Sequence, residues 1–229
     1  MSNSAGNAVA RGAAAVEYFV RPKSVAIIGL SSKPGSAGMN ALTNLIKNNF
    51  AGDIYLQGRS GGEVNGRKVF TEIDQLPEGI DLAIFTLPVV GVKDALEACA
   101  RRKLKAVVIF ASGFAEIGER EKQDEIARIA RDGGIALLGP NCLGYSNIVD
   151  AFSAGFVSTN TIARLPDTKD PRAAVLSQSG GMMAHIKSGL ELRDLPVSYM
   201  ISTGNEAGVG LPEFLDFFTN DPNTQLIIV

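Results

Sequence analysis

Strands alternating with helices predict an α/β protein, a doubly wound parallel sheet followed by part of a second α/β unit. Three observations carry this. Short β-branched apolar runs recur along the chain, helical periodicity follows most of them, and the runs have no polar face. The last is the mark of strands buried on both sides of a parallel sheet.

A Gly/Ala/Ser/Asn-rich tail precedes a short helix at Ala13–Val20. Ser24–Ile28 is the first strand and stops at Gly29. Residues 38–47 have helical spacing, with Met39, Leu42, Leu45 and Ile46 on one side. Further strands are read at 53–57, 82–85, 106–110 and 136–138, with helices at 92–102 and 119–131. Residues 150–171 form a polar connection with no period, and 164–171 read as a linker. A second series follows: strand 173–176, helix 182–192, strand 197–201, helix 211–218 and strand 226–229. The expected division is 1–20 (tail and short helix), 21–150 (first domain), 151–171 (linker) and 172–229 (second unit). Three strands are fewer than the usual four to six, so the second unit is expected to be part of a longer protein.

Hydrophobic residues make up 45% and charged residues 20%, which excludes a largely disordered chain. Lys+Arg number 22 against 24 Asp+Glu, so no basic excess exists to hold a nucleic acid. No apolar run is long enough to span a membrane, and the first residues lack the pattern of a secretory signal. A cytoplasmic location is expected, with no nucleic-acid or membrane partner. Cys99 and Cys142 cannot make a disulfide framework. With His185 alone and no CxxC or HExxH, no metal site is expected.

The first chemical candidate is the loop 29–38, Gly-Leu-Ser-Ser-Lys-Pro-Gly-Ser-Ala-Gly. A Gly-rich turn entering a helix offers unpaired N–H groups and a positive dipole end to a phosphate. It is neither GxGxxG nor a Walker A loop. An NAD site would place an acid after the second strand to hold the ribose 2′-hydroxyl. Arg59 stands there instead, and a guanidinium suits a phosphorylated ribose. NADP and CoA both remain open on these residues. Leu87-Pro88, the 112–114 turn Ser-Gly-Phe and the 139–144 turn Gly-Pro-Asn-Cys-Leu-Gly follow later strands, at the ends where open sheets bind ligands. The Ser/Gly turn at 177–181 is a second anion candidate, with Ser179 also a natural helix N-cap. His185 reads as packing or surface, and Cys142 as a small buried hydrophobe.

Taken in order, five stretches resemble the NDP-forming acyl-CoA synthetases, the superfamily that includes the succinyl-CoA synthetase α-subunit. They are residues 24–38, 111–116, 139–144, 177–180 and 204–207. The resemblance implies a CoA-binding Rossmann-like domain followed by part of a flavodoxin-like ligase domain. It implies CoA contacts at Gly29, Ser31, Ser32, Lys33, Leu87, Pro88, Ser112, Phe114 and Asn141, to which Arg59 is added for the ribose phosphate. It also implies a phosphate-facing helix start at Ser179, Gly180 and Gly181. The implied reaction joins a carboxylate to CoA through an acyl phosphate and a phosphorylated His. ATP or GTP and Mg²⁺ enter on an ATP-grasp domain or subunit, and a homo- or hetero-oligomer is expected. Gly58-Arg59 departs from the family's Asn-Pro, and His185 does not match the phosphorylated residue. The chain alone is therefore expected to bind CoA and complete no ligation. The alternatives are an NADP-binding or nucleotide-sensing Rossmann protein, and a stand-alone CoA-binding regulatory module.

Overall fold

The computed structural model describes residues 12–157, 160–163, 165 and 171–229. The tail ahead of Gly12 and most of the linker expected at 164–171 lie outside the described residues.

Helix α1 (Ala13–Val20) leads into β1 (Ser24–Ile28), α2 (Ala37–Lys47) and β2 (Asp53–Gln57). A hairpin of β3 (Glu63–Val64) and β4 (Arg67–Phe70) follows, in a stretch where the sequence suggests no element. Then come β5 (Leu82–Phe85), α3 (Val92–Arg101), β6 (Ala106–Ile109), α4 (Arg120–Asp132) and β7 (Ala136–Leu138). Among the described residues these strands form a seven-stranded sheet in the order β3-β4-β2-β1-β5-β6-β7. Every pairing is parallel except β3 with β4. The chain winds outward from β1 in one direction to β2 and in the other to β5. The switch point therefore lies between β1 and β5, and a crevice opens beyond their carboxyl ends.

The continuous apolar strands are explained by the two cores. In β1, Val25 and Ile27 join one core cluster while Ala26 and Ile28 join another. Leu82 and Ile84 alternate with Ala83 and Phe85 in the same way. One face is covered by α3 and α4, the other by α1 and α2.

The second sheet is larger than three strands. It runs β12-β10-β11-β8-β9, with β8 (Gly144–Asn147), β9 (Phe152–Gly155), β10 (Ala173–Ser177), β11 (Val197–Ser202) and β12 (Leu226–Ile228). Its helices are α5 (Gly180–Glu191) and α6 (Leu211–Thr219). The strands β10, β11 and β12 run parallel, whereas β8 and β9 add an antiparallel edge. The sequence reading missed β8 and β9, leaving the residues of β8 in the first domain without an element and placing 150–171 in an aperiodic connection. Gly-Tyr-Ser-Asn and Phe-Ser-Ala-Gly are four residues each with no clean alternation. Their pairing across a tight turn, with Asn147 capping Asp150, supplies what periodicity does not.

The two sheets share a core. Phe19 of α1 packs on Tyr145 and Phe214, Phe50 packs on Phe152, and all lie in or against the cluster that contains Val25 and Ile27. Arg21 locks this junction, donating to Tyr199 Oη at 3.1 Å and to Asp221 and Asp150 at 3.4 and 3.3 Å. An isolated parallel bridge from Leu138 to Val209 joins the sheets again at the carboxyl end.

Candidate functional site

The residues picked out in the sequence stand along the carboxyl ends of the strands, in sheet order. Gly29 is left-handed (φ 85°), and a Cβ there would lie 2.5 Å from Leu87 Cδ2. The first loop and the β5 turn are thus in contact. A Cβ on Gly58 would lie 2.3 Å from the Leu30 carbonyl oxygen, which brings the backbone before Arg59 against the same loop. The Gln57 side chain ties the first loop to the end of β4: Gly29 donates to its Oε1 at 3.1 Å, and its amide donates to the Thr71 carbonyl at 2.9 Å. Gly113 approaches Val89, so the 112–114 turn continues the rim past Pro88.

Within the first loop Ser31, Ser32 and Lys33 are exposed. Lys33 N–H donates to Ser31 Oγ at 3.3 Å, and Ser36 Oγ donates to the Ser31 carbonyl at 2.9 Å. Ser36 caps α2, accepting from Met39 N–H at 3.4 Å. Arg59 and Pro88 are exposed and Leu87 is half-buried. The Phe114 ring is 1% exposed and lies in the core under α4, so it offers no side-chain contact to a ligand. Its N–H is also taken, by Glu116 at 3.2 Å.

Ser112 and Asn141 meet the second loop. A cleft of about 630 Å³ between the two sheets is lined by Ser112, Asn141, Ser179, Gly180 and Gly181, together with Phe110, Leu143 and Phe156. Ser179 caps α5, accepting from Met182 N–H at 3.3 Å. The first N–H groups of a helix have no intrahelical acceptor, so those of Gly180 and Gly181 remain for an anion, backed by the helix dipole. Glycine is required at 180, since a Cβ would lie 2.1 Å from Leu143 Cγ. His185, exposed one turn further on, meets the Gly181 carbonyl through Nδ1 at 2.8 Å. Cys142 is buried, and burial pushes its thiol up to about 12, which makes it a poor nucleophile.

A polar clasp lies at the back of the cleft, and of its side chains the sequence reading gave a role to Asn141 alone. Asn141 donates to Asn205 Oδ1 at 3.2 Å. The Asn205 amide donates to Glu116 and, at 3.0 Å, to Gln123. Asn205 and Ala207 N–H groups donate to the Pro140 and Gly139 carbonyls, both at 2.9 Å. Burial pushes the Glu116 carboxyl up, but the Gly113 N–H, the Asn205 amide and the Phe114 N–H outweigh it, and its pKa falls below the ordinary value. The signal was partly visible, because Glu116 and Asn205 both lie in the motif stretches at 111–116 and 204–207. Only the fold shows that they meet.

Among the described residues no group of three or more His, Cys, Asp and Glu stands close enough to hold a metal ion. No helix among them is long and apolar enough to cross a membrane.

Residues 23–147 match the family described as CoA binding domain, and 170–229 match the succinyl-CoA ligase like flavodoxin domain. The chain belongs to the CoA-binding family of the NDP-forming acyl-CoA synthetases. It is 39% identical over 214 residues to trans-feruloyl-CoA synthase of an unknown prokaryotic organism, covering 93% of this chain and 30% of that one. It is 34% identical over 220 residues to the α subunit of ADP-forming acetate–CoA ligase I of Pyrococcus furiosus, covering 93% and 46%. The acetyl-coenzyme A synthetase 1 of Ca. Korarchaeum cryptofilum, solved in its apo form, superposes with a TM-score of 0.82 at 30% identity, covering 93% and 45%. The chain thus spans less than half the length of these relatives.

Proposed function

We propose that this chain forms the CoA- and phosphate-binding half of an acid–thiol ligase that makes acyl-CoA from a carboxylate, CoA and ATP or GTP. One observation carries the reading: Ser112 and Asn141, from the CoA rim, line the same cleft as the Ser179–Gly181 helix start. A thiol and an anionic phosphate can therefore be held side by side. CoA supplies the nucleophilic sulfur. Its phosphates are assigned to the hydroxyls of Ser31 and Ser32 and the ammonium of Lys33, all exposed residues, where Gly29 and Gly58 let neighbouring turns close in. Leu87 and Pro88 would line the arm of the ligand, and Arg59 its ribose phosphate.

The finer steps belong to the same proposal. A route through an acyl phosphate and a phosphorylated His needs a mobile imidazole. The sole His, His185, sits on α5 with its Nδ1 on the Gly181 carbonyl and does not match the family's phosphorylated residue, which supports assigning the relay to a residue outside this chain. Mg²⁺ and the nucleotide find no acidic cluster among the described residues. They are assigned to an ATP-grasp domain or subunit, which makes a partnered assembly the working form. Calorimetry with CoA, NADP and NAD tests the core of the reading. CoA is expected to bind at least tenfold more tightly than either dinucleotide, and equal or tighter NADP binding would overturn it.

A further inference from the structure

We propose that Glu116 and Gln123, acting through Asn205, turn the side-chain carbonyl oxygen of Asn141 toward the cleft, where it accepts a hydrogen bond from the arm of CoA. The assignment rests on the ligase reading. It makes Glu116, Gln123 and Asn205 positioning residues, and it takes Asn141 out of the phosphate cradle that shares the cleft.

An asparagine amide keeps its shape when turned end for end, so only its neighbours decide which end carries the oxygen. Here they decide it from two sides. Glu116, in the turn after β6, accepts from the Gly113 and Phe114 N–H groups. Burial raises its pKa, but those N–H groups and the Asn205 amide bring it below the ordinary value, so the carboxyl is ionised at neutral pH and has only acceptors to offer. Gln123, on α4, is buried and turns its Oε1 to the Ala115 N–H at 3.3 Å, a group that can only donate. That same oxygen and the Glu116 carboxylate both face the Asn205 amide. Asn205 therefore meets them with its NH₂ group, and its Oδ1 is left facing Asn141 at 3.2 Å. Asn141 in turn presents its NH₂ group there. Its own Oδ1 is the end that remains, and it accepts no hydrogen bond among the described residues.

The main chain fixes both asparagines. The Asn141 N–H donates to the Ala111 carbonyl and the Asn205 N–H to the Pro140 carbonyl, each at 2.9 Å. Asn141 lines the cleft together with Ser112 and the α5 start. A carbonyl oxygen repels the oxygens of a phosphate and needs a donor. The arm of CoA carries donors of this kind, its amide N–H groups and its thiol. The anion is left to the Gly180 and Gly181 N–H groups. The chain of amides thus sorts the two ligands of one cleft, the anion to the helix start and the neutral donor to Asn141.

The test is calorimetry with CoA, desulfo-CoA (the thiol replaced by hydrogen) and inorganic phosphate, on the protein isolated with any partner it retains. Asn141 has a φ of 58°, which glycine adopts freely. Asn141→Gly is expected to weaken CoA about fivefold, the worth of one neutral hydrogen bond, and to leave phosphate within about twofold of wild type. Asn141→Asp keeps an acceptor toward the cleft and should hold CoA within about twofold. Glu116→Gln removes the acceptor-only end and should reproduce the CoA loss of Asn141→Gly. Adding Gln123→Glu moves the carboxylate to the other acceptor of the same Asn205 amide and should restore CoA to within about twofold, a rescue that a packing role would not give. A smaller loss for desulfo-CoA than for CoA in Asn141→Gly assigns the donor to the thiol, an equal loss assigns it to an arm amide, and either supports the proposal. Phosphate weakened as much as CoA in Asn141→Gly or Glu116→Gln would overturn it. So would Asn141→Asp losing more CoA affinity than Asn141→Gly, Glu116→Gln binding CoA like wild type, or a double variant with unchanged circular dichroism that is not rescued. Failure of wild-type protein to bind CoA itself is a different result, and it would bring down the ligase reading.

Discussion

Arg59 and Gly180 show two ways in which one residue shapes the site. Arg59 is exposed beside the first loop, and it replaces the acid that a free ribose would need. A charge-assisted contact to a ribose phosphate is worth about 1.5–3 kcal/mol, a factor of roughly ten or more in affinity. Arg59→Ala is expected to weaken CoA by that factor and dephospho-CoA far less, as read by parallel calorimetric titrations. An equal loss for both ligands would remove Arg59 from the phosphate. Gly180 acts through space. Its missing Cβ is what lets Leu143 seat under the start of α5. Gly180→Ala is expected to cost about 1–3 kcal/mol by overpacking, visible as a lower urea midpoint. It should also displace the Gly180 and Gly181 N–H groups and so weaken binding of inorganic phosphate.

At the scale of elements, the clasp from Glu116 to Asn205 ties the turn after β6 to the loop after β11. Its pH dependence follows from the direction of the Glu116 shift. A carboxyl that ionises more readily in the folded state contributes stability above its unfolded pKa, and that stability is lost as pH falls through the folded pKa. For a glutamate this window lies below about pH 4.3. The protection factors of the 204–207 loop, hydrogen-exchange rates corrected for their intrinsic pH dependence, should therefore fall on acidification in the wild type. Glu116→Gln should lower those protection factors at neutral pH and leave them nearly flat across the acidic range. A steep acidic fall that persists in Glu116→Gln would assign the effect to another group. The effect is kept modest by solvent, since Glu116 is exposed.

Taken whole, the molecule is two sheets around a shared core, with the site where their strand ends face each other. Such an arrangement binds and orients, while phosphoryl relay needs a nucleophile that can travel. The chain by itself is expected to take no label from γ-labelled ATP and to release no ADP with CoA and acid. Supplying an ATP-grasp partner from a relative, with its own histidine-bearing segment, is expected to restore both. Labelling of the isolated chain that disappears in His185→Ala would make His185 the relay residue and reverse this expectation.

The sequence alone determined β1, β2, β5, β6 and β7 of the doubly wound sheet. Runs such as Ser24–Ile28 and Leu82–Phe85 are apolar on both faces, and such runs are stable only between two helical layers. It also brought the loops forward as anion candidates, because Gly and Ser at a helix start present N–H groups and Arg59 a guanidinium. The structure decided everything that depends on residues far apart in the chain. The antiparallel strands β8 and β9 exist because neighbouring strands pair with them, not because four residues prefer extension. Phe114 stands in a motif that resembles a ligand contact, yet packing put its ring in the core. Glu116 and Asn205 are 89 residues apart and meet only because β6 and β11 end at the same rim. Local pattern reads out preferences that each segment carries by itself. A clasp and a shared cleft arise from contacts whose partners no local pattern names.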